Sequence, residues 1–535
     1  MTAAMSIPWL SIVVWAPFVT ALILLAIPYS AFREGARSGN AVRLASVAGA
    51  AVSLAGAIVV ALTYDRAAGG LQFRERIELV PSLGIAYDLG VDGWGVSLLL
   101  LTGIIIFAGT FATWTLKTRP KEYYISLLGL VTGVFGVFAS VDLFVFFLFY
   151  EIAVLPMYLL IGIWGSTKGV EPRGPFAFIY RILDVGGKEY AAMKLTLMLL
   201  LGSAFILAGI LGLYYAAGGV SFSMEEIGKH SFDPDFQRIL FPLVWIGFGT
   251  LAGVWPFHTW SPDGHASAPT ATSMLHAGVL MKLGAYGVIR VGMVLMPEGA
   301  QSWALVVGCV AVINVVYGAL SAMWQKDLKY IIAYSSVSHM GIVMLGAATL
   351  TVDGWNGAIY QMFAHGIMTG LFFALVGLVY EKAHNRDITQ MGGFARVMPG
   401  IAVFFTLAGL SSLGLPGLAG FVAEFMVFLG AFSSAQAWWA LAGILGAWIT
   451  AIYVLRAVRR IFWGEGPPEA YLAQAGFGDA KGTEWVALGV LAACLVLFGV
   501  WPGLILDGID QATVHHLGVV TGELGRVAAG AGVTP

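Results

Sequence analysis

The sequence predicts an all-α polytopic membrane protein of about fourteen transmembrane helices, with two inverted five-helix repeats in which helices seven and twelve are broken. Three observations lead there. Of the 535 residues, 59% are hydrophobic and only 11% charged, and the mean hydropathy of +0.85 lies far outside the soluble globular range. Apolar runs of about 18 residues or more, long enough to cross a bilayer, recur along the chain. Two of them carry Gly and Pro at membrane depth.

The first three runs, near 9–29, 41–63 and 96–116, form an N-terminal unit over 1–122. Met1 to Pro8 lack the positive n-region of a cleaved signal, so the first run reads as a retained helix. Runs near 123–141, 143–164, 192–216, 239–260 and 270–293 make a first repeat over 123–293, with Ser140-Val141-Asp142 as the turn between its first two helices. Runs near 301–322, 330–350, 354–380, 398–432 and 436–458 make a second over 301–460. A last span near 485–509 and a short tail complete 461–535.

Spans seven and twelve are interrupted by Gly249-Thr250-Leu251-Ala252-Gly253-Val254-Trp255-Pro256 and by Leu413-Gly414-Leu415-Pro416-Gly417-Leu418-Ala419-Gly420. Proline removes a donor and breaks a helix. Freed backbone groups are tolerated in a bilayer only where they are buried in protein or face a water-filled cavity. Five spans separate the two breaks, which is the spacing of two inverted five-helix repeats, and paired broken helices mark transporters. Proline kinks used only for packing are the alternative.

The basic residues set an orientation. Twenty Lys and Arg, among them Arg43, Lys117, Arg119, Lys326, Lys329 and Arg460, fall on one side of the spans and seven on the other, with Lys282 inside a span. By the positive-inside rule both termini face away from the cytoplasm. A net charge of −2 gives no reason to expect a nucleic-acid partner. Cys309 and Cys494 lie in separate apolar spans without metal-ligand spacing and read as packing residues. No phosphate-cradling GxGxxG on a strand-helix unit is present, so nucleotide, flavin and iron-sulfur chemistry are not expected in this chain.

Ionisable residues inside the spans are the candidate functional groups, because an acidic or basic side chain at a helix centre costs roughly 2.5–3.5 kcal/mol and is retained for a reason. Glu151 stands in Phe147-Leu148-Phe149-Tyr150-Glu151-Ile152-Ala153 with no base in its own helix, as a proton site or a hydrogen-bonding group between helices. Asp142, at the helix edge, reads as a cap. Lys282 lies halfway along span eight, too deep to snorkel, where it titrates or forms a static pair. Gly278, Gly284 and Gly287 would let another helix or water come close to it. His339 and His365, at the middle of spans ten and eleven, could ligate a haem or relay protons, and the serines beside His339 suit a hydrated path better. Glu424 follows the second break, where it caps the helix or ends a hydrated half-channel.

Several long motifs resemble one family, the antiporter-like membrane subunits of respiratory complex I, the bacterial NADH:quinone oxidoreductase, and within it the chain M type. Phe149-Tyr150-Glu151 with Leu155-Pro156-Met157-Tyr158 resembles its fifth-helix glutamate motif. His258-Thr259-Trp260-Ser261-Pro262-Asp263-Gly264-His265 with Ala268-Pro269-Thr270 is similar to its HTWLPDAH and APT signature. Asp327-Leu328-Lys329 with Ala333-Tyr334-Ser335-Ser336-Val337-Ser338-His339-Met340-Gly341 resembles DLKRLIAYSSVSHMG, and Gly414-Leu415-Pro416-Gly417 with Ala423-Glu424-Phe425 resembles the twelfth-helix motif. The resemblance covers nearly the whole chain.

It implies a proton-translocating subunit. Glu151 would be the helix-five acid, Lys282 the central lysine, His339 and His365 part of a hydrophilic axis, and Glu424 the terminal exchange residue. NADH, FMN, iron-sulfur clusters and quinone would belong to partner subunits. Neighbouring antiporter-like subunits and the bilayer would be the partners of this chain. A multisubunit sodium-proton antiporter subunit and a pump-inactive structural subunit are the alternatives. One departure stands out: relatives carry a second lysine at the seventh-helix break, and this chain has Leu251 there. That lysine is expected to pair with the helix-five glutamate, and His276 and His258 are the candidate substitutes.

Overall fold

The computed structural model describes residues 7–27, 36–167, 186–474 and 476–522. Arg33, Lys168, Arg173, Arg181 and Arg526, which carry part of the charge asymmetry, lie outside them. Helices dominate: α1 (Trp9–Ala26), α2 (Ala36–Thr63), α3 (Gly93–Ala112), α4 (Pro120–Ala139), α5 (Leu143–Trp164), α6 (Lys188–Ala216), α7 (Pro234–Ala252) and α8 (Trp260–Ser267). There follow α9 (Thr270–Met293), α10 (Pro297–Trp324), α11 (Leu328–Ala348), α12 (Val352–Ala383), α13 (Pro399–Ser412), α14 (Ala419–Ser433), α15 (Trp438–Phe462), α16 (Glu484–Val500) and α17 (Gly503–Thr521). Among the described residues, twelve helical spans are long and apolar enough to cross a membrane, α7 and α8 together counting as one. The number is thirteen if α16 and α17, bent 64° apart, form one span, and α13 and α14 are shorter apolar helices.

Local chemistry sets several helix starts. Asp92, Asp142, Asp233 and Asp327 are the N-caps of α3, α5, α7 and α11, each side chain accepting from two backbone N–H groups of the first turn. Asp142 is thus the cap its sequence position suggests.

Two expectations are corrected. The segment between the second and third spans is not featureless: β1 (Gln72–Val80) and β2 (Ile85–Val91) pair antiparallel around Gly84, so the protein is mostly helical rather than all-α. The alternation Arg76-Ile77-Glu78-Leu79 has the period of a strand. Glu75 on β1 accepts from the backbone N–H of Leu10 (2.9 Å) and Ser11 (3.0 Å), which fastens the hairpin to the start of α1. The last span also differs. Pro502 ends α16, but the chain resumes as α17 through Thr521, where only a short tail after 509 was expected.

α17 is held to the bundle by a buried ionic cluster. Arg290 Nη1 on α9 lies 2.5 Å from Asp92 Oδ2, and His516 Nε2 on α17 lies 2.9 Å from the same oxygen. Trp94 Nε1 donates to Thr513 Oγ1 at 3.0 Å. Burial alone would raise the Asp92 carboxyl, but Arg290, His516 and the backbone N–H of Gly95 outweigh it and hold it well below the usual carboxylate range. The contribution of Asp92 to stability is therefore present above the ordinary carboxyl range and is lost only as pH falls through its depressed folded value.

Arg290→Ala leaves Asp92 buried without its guanidinium, and the expected cost is about 3–5 kcal/mol. It would be read as a lower thermal midpoint of the purified assembly, with Asp92→Asn in the Arg290→Ala background recovering part of the loss.

Candidate functional site

Four of the residues singled out in the sequence meet inside the bundle. Lys282 is fully buried, and its helix is irregular on both sides: His276–Leu280 and Val288–Met293 are π-helical around the α-helical turns Met281–Gly287. π-Turns release the regular hydrogen-bond pattern and recur at functional sites. Lys282 Nζ donates to the Ala277 carbonyl within this stretch and lies 2.6 Å from Nδ1 of His365 on α12.

That approach depends on glycine. A Cβ on Gly366 would stand 2.6 Å from the Gly278 carbonyl oxygen, and one on Gly284 would run into the Ala252 nitrogen at the end of α7. Helices α12 and α7 therefore press on α9 from two sides, which buries a lysine that a looser crossing would leave to solvent.

The rings of His365 and His339 stack at a centroid distance of 5.2 Å with 28° between their planes. Stacked faces are not the geometry of two axial haem ligands, so the haem alternative falls. His339 Nδ1 lies 2.8 Å from the Ser335 carbonyl oxygen, while Nε2 lies 3.2 Å from the Ser412 carbonyl oxygen and 3.5 Å from Glu424 Oε1. Carbonyl and carboxylate oxygens only accept, so the ring satisfies both sides when both nitrogens carry protons, as an imidazolium facing Glu424. Tyr453 donates to Ser335 Oγ at 2.6 Å and backs the arrangement.

Glu424 reaches His339 because the chain breaks between α13 and α14. Gly414 in that break has φ +72°, and a Cβ there would stand 2.8 Å from Glu424 Oε2. The buried hydroxyls of Ser411 and Ser412 beside it have no protein acceptor among the described residues.

On the other side of Lys282 lies a second histidine pair. His276 and His265 stack at 3.8 Å, with the Trp260 ring 5.0 Å from His276. Both are fully buried, and none of their four ring nitrogens has a protein partner among the described residues. Beyond His265, Lys329 Nζ donates to the Ala268 carbonyl at 2.6 Å. Lys329 and Ala268 line a cavity of about 350 Å³ with Lys117, Trp164, Thr270 and Glu381.

Glu151 stands apart from this line. It lies on α5 beside the Ser203 hydroxyl of α6, its Oε1 has no hydrogen-bond partner and it makes no ion pair among the described residues. Leu251 is buried at the end of α7. Neither expected substitute is paired with Glu151: His258 packs edge-on against Tyr317 at 5.0 Å, and His276 is stacked on His265. Sequence reasoning passed over His265, Lys329 and Gln361. His265 closes a motif already noted, and Gln361 sits one helical turn before His365 with a buried, unpartnered Oε1. Lys329 stands in the Asp327-Leu328-Lys329 motif already noted, but a lysine at a helix start reads as an interfacial residue, which hid its burial.

Cys309 on α10 and Cys494 on α16 are free and half-buried, and among the described residues no three His, Cys, Asp or Glu side chains are grouped to hold a metal ion.

The model of a family described as NADH:quinone oxidoreductase/Mrp antiporter, transmembrane, matches residues 140–450. NAD(P)H-quinone oxidoreductase chain 4 1 of Picosynechococcus sp. is 35% identical over 96% of this chain and 92% of its own length. NAD(P)H-quinone oxidoreductase chain 4 of Gloeobacter violaceus is 34% identical over 98% and 95%. A chain of respiratory complex I from Thermus thermophilus superimposes with a TM-score of 0.83 at 27% identity, covering 96% of this chain and 99% of that one. A chain of the Mrp complex from Dietzia sp. shares the fold, with a TM-score of 0.77 at 19% identity over 96% and 99%.

Gly366→Val should push α12 off α9, with a cost of about 1–3 kcal/mol from overpacking. The expected result is a lower thermal midpoint and, in a structure of the variant, Lys282 Nζ and His365 Nδ1 beyond hydrogen-bonding distance.

Proposed function

Because the chain belongs to the NADH:quinone oxidoreductase/Mrp antiporter transmembrane family, we propose that it is a proton-translocating membrane subunit of an NADH:quinone oxidoreductase. It couples electron transfer in partner subunits to proton movement across a bacterial inner membrane. The observation that carries this reading is the buried series Lys282, His365, His339 and Glu424, joined in turn by a hydrogen bond, a ring contact at 5.2 Å and an ion pair. NADH, FMN, iron-sulfur clusters and quinone belong to partner subunits. The neighbours of this chain are other antiporter-like membrane subunits.

In this reading α13 and α14 form one broken span, which brings the count to fourteen. Helices α4 to α9 and α10 to α15 are then the two inverted repeats, flanked by the units 1–122 and 461–535. The excess of Lys and Arg on one side turns both termini away from the cytoplasm.

Protons enter from the cavity of Lys329 and pass through water held by His265 and His276 to Lys282. The His339 imidazolium gives its Nε2 proton to Glu424. Lys282 Nζ then gives a proton to His365 Nδ1, and His365 releases its Nε2 proton to the neutral His339. Glu424 then releases its proton to the exit side, Lys282 is reprotonated from the entry side, and His365, left protonated on Nδ1, returns to its Nε2–H form before Lys282 donates again. Movement against a 100 mV potential costs about 2.3 kcal/mol per charge, supplied by conformational coupling from partner subunits. Glu151, without a lysine at position 251, is an acid beside the line whose charge is set by hydration and by Ser203.

Lys282→Ala in the assembled complex, reconstituted in vesicles, is expected to slow coupled proton transfer roughly hundredfold or more, read as proton yield per NADH oxidised. Glu424→Gln should give a similar loss. An unchanged yield in both variants would favour a structural spacer, and a yield that depends on sodium would favour the antiporter reading.

A further inference from the structure

The break in the seventh span is strapped to both halves of this line, although it has lost its lysine. The chain between α7 and α8 frees backbone groups that a continuous helix would satisfy. Trp260 Nε1 donates to the Thr250 carbonyl at 2.9 Å while its ring packs on His276. A Cβ on Gly253 would stand 2.7 Å from Met281 Cε, next to Lys282. On the opposite side, the freed N–H of Trp255 donates to Asn314 Oδ1 on α10 at 2.9 Å.

Asn314 is fully buried, and its amide is used at both ends. Nδ2 donates to the Val337 carbonyl on α11 at 2.9 Å, two residues before His339. The orientation is unambiguous, because Trp255 N–H can only donate and the Val337 oxygen can only accept. Helices α10 and α11 are in close backbone contact here. A Cβ on Gly318 would stand 2.6 Å from Ser338 N, one on Gly341 would stand 2.7 Å from Val315 N, and Ser338 Oγ donates to the Val315 carbonyl at 2.8 Å.

We infer that Asn314 is a positioning residue that couples the seventh-span break, and through it the Lys282 segment, to the His339 segment of α11. The inference rests on the proton-translocating reading of the same line. Trp255 moves with the break, Val337 moves with His339, and one side chain holds the two at a fixed separation. In a chain with Leu251 in place of a charged residue, the break keeps a mechanical link to the line without an electrostatic one.

The ionisable groups on the elements packed at this point include His258 at the break, Tyr317 on α10, Lys329, Tyr330, Tyr334 and His339 on α11, and Tyr453 and Arg456 on α15. None is hydrogen-bonded to the Asn314 amide. A carboxyl at position 314 therefore provides a specific test. In its neutral form its carbonyl accepts from Trp255 and its hydroxyl donates to Val337, as the amide does, and on ionisation the second bond is lost.

In the complex reconstituted in vesicles, Asn314→Leu should lower the proton yield per NADH by roughly tenfold or more at every pH, as for a misplaced transfer partner. Asn314→Asp should retain the yield at low pH and lose it as pH rises, with a pH profile absent from the unmodified complex. A yield and profile like those of the unmodified complex in both variants would overturn the inference. If Asn314→Leu fails to assemble, the Asn314→Asp profile decides alone, and a flat profile overturns it. Lys282→Ala run in parallel separates the two levels, because a full yield there refutes the translocation reading itself.

Discussion

The contact between Lys282 and His365 is the interaction on which the interior depends. A lysine at mid-membrane is costly, and here it is kept by a carbonyl of its own π-turn and by a histidine ring 2.6 Å away. The histidine requires two helices to approach more closely than side chains with a Cβ allow, and Gly278 and Gly366 face each other at that crossing. Remove the close approach and the ammonium group has no acceptor across the helix boundary. The rest of the line follows from this pair, since His365 is fixed by Lys282 and His339 stacks on His365.

The two broken spans serve this pair differently. The break before α14 brings backbone carbonyl, hydroxyl and carboxylate groups to one side of His339, so that freed backbone becomes part of the polar path. The break before α8 brings no charge. Its freed groups are taken up by Trp260 and Asn314, and its glycines let it press on α9. The two breaks therefore differ in chemistry: one is a polar terminus and the other is a packing element between two helices that bear titratable groups.

Glu151 illustrates the limit of reasoning from residue type. Its cost at membrane depth was evident, and the resemblance implied a lysine partner at the position where this chain has Leu251. Which residue faces it was not, because that depends on how α5 and α6 cross. The facing group is the neutral hydroxyl of Ser203, and the histidines that might have replaced the lysine are engaged elsewhere, His276 with His265 and His258 with Tyr317.

Composition and run length alone determined that this chain is a helical membrane protein, because the free energy of crossing a bilayer is additive over an apolar stretch and needs no knowledge of neighbours. The buried ionisable residues, the two breaks and the glycines near Lys282 were legible for the same reason: each is a local violation of what a lipid-facing helix tolerates. The hairpin was missed because alternation over a few residues is a weak signal beside long apolar runs. The π-turns, the stacking of His265 on His276, the burial of Lys329 and the double bond of Asn314 were decided only by the tertiary structure. They depend on helix crossing points and rotations, which arise from contacts between residues far apart in the chain and leave no period in the sequence.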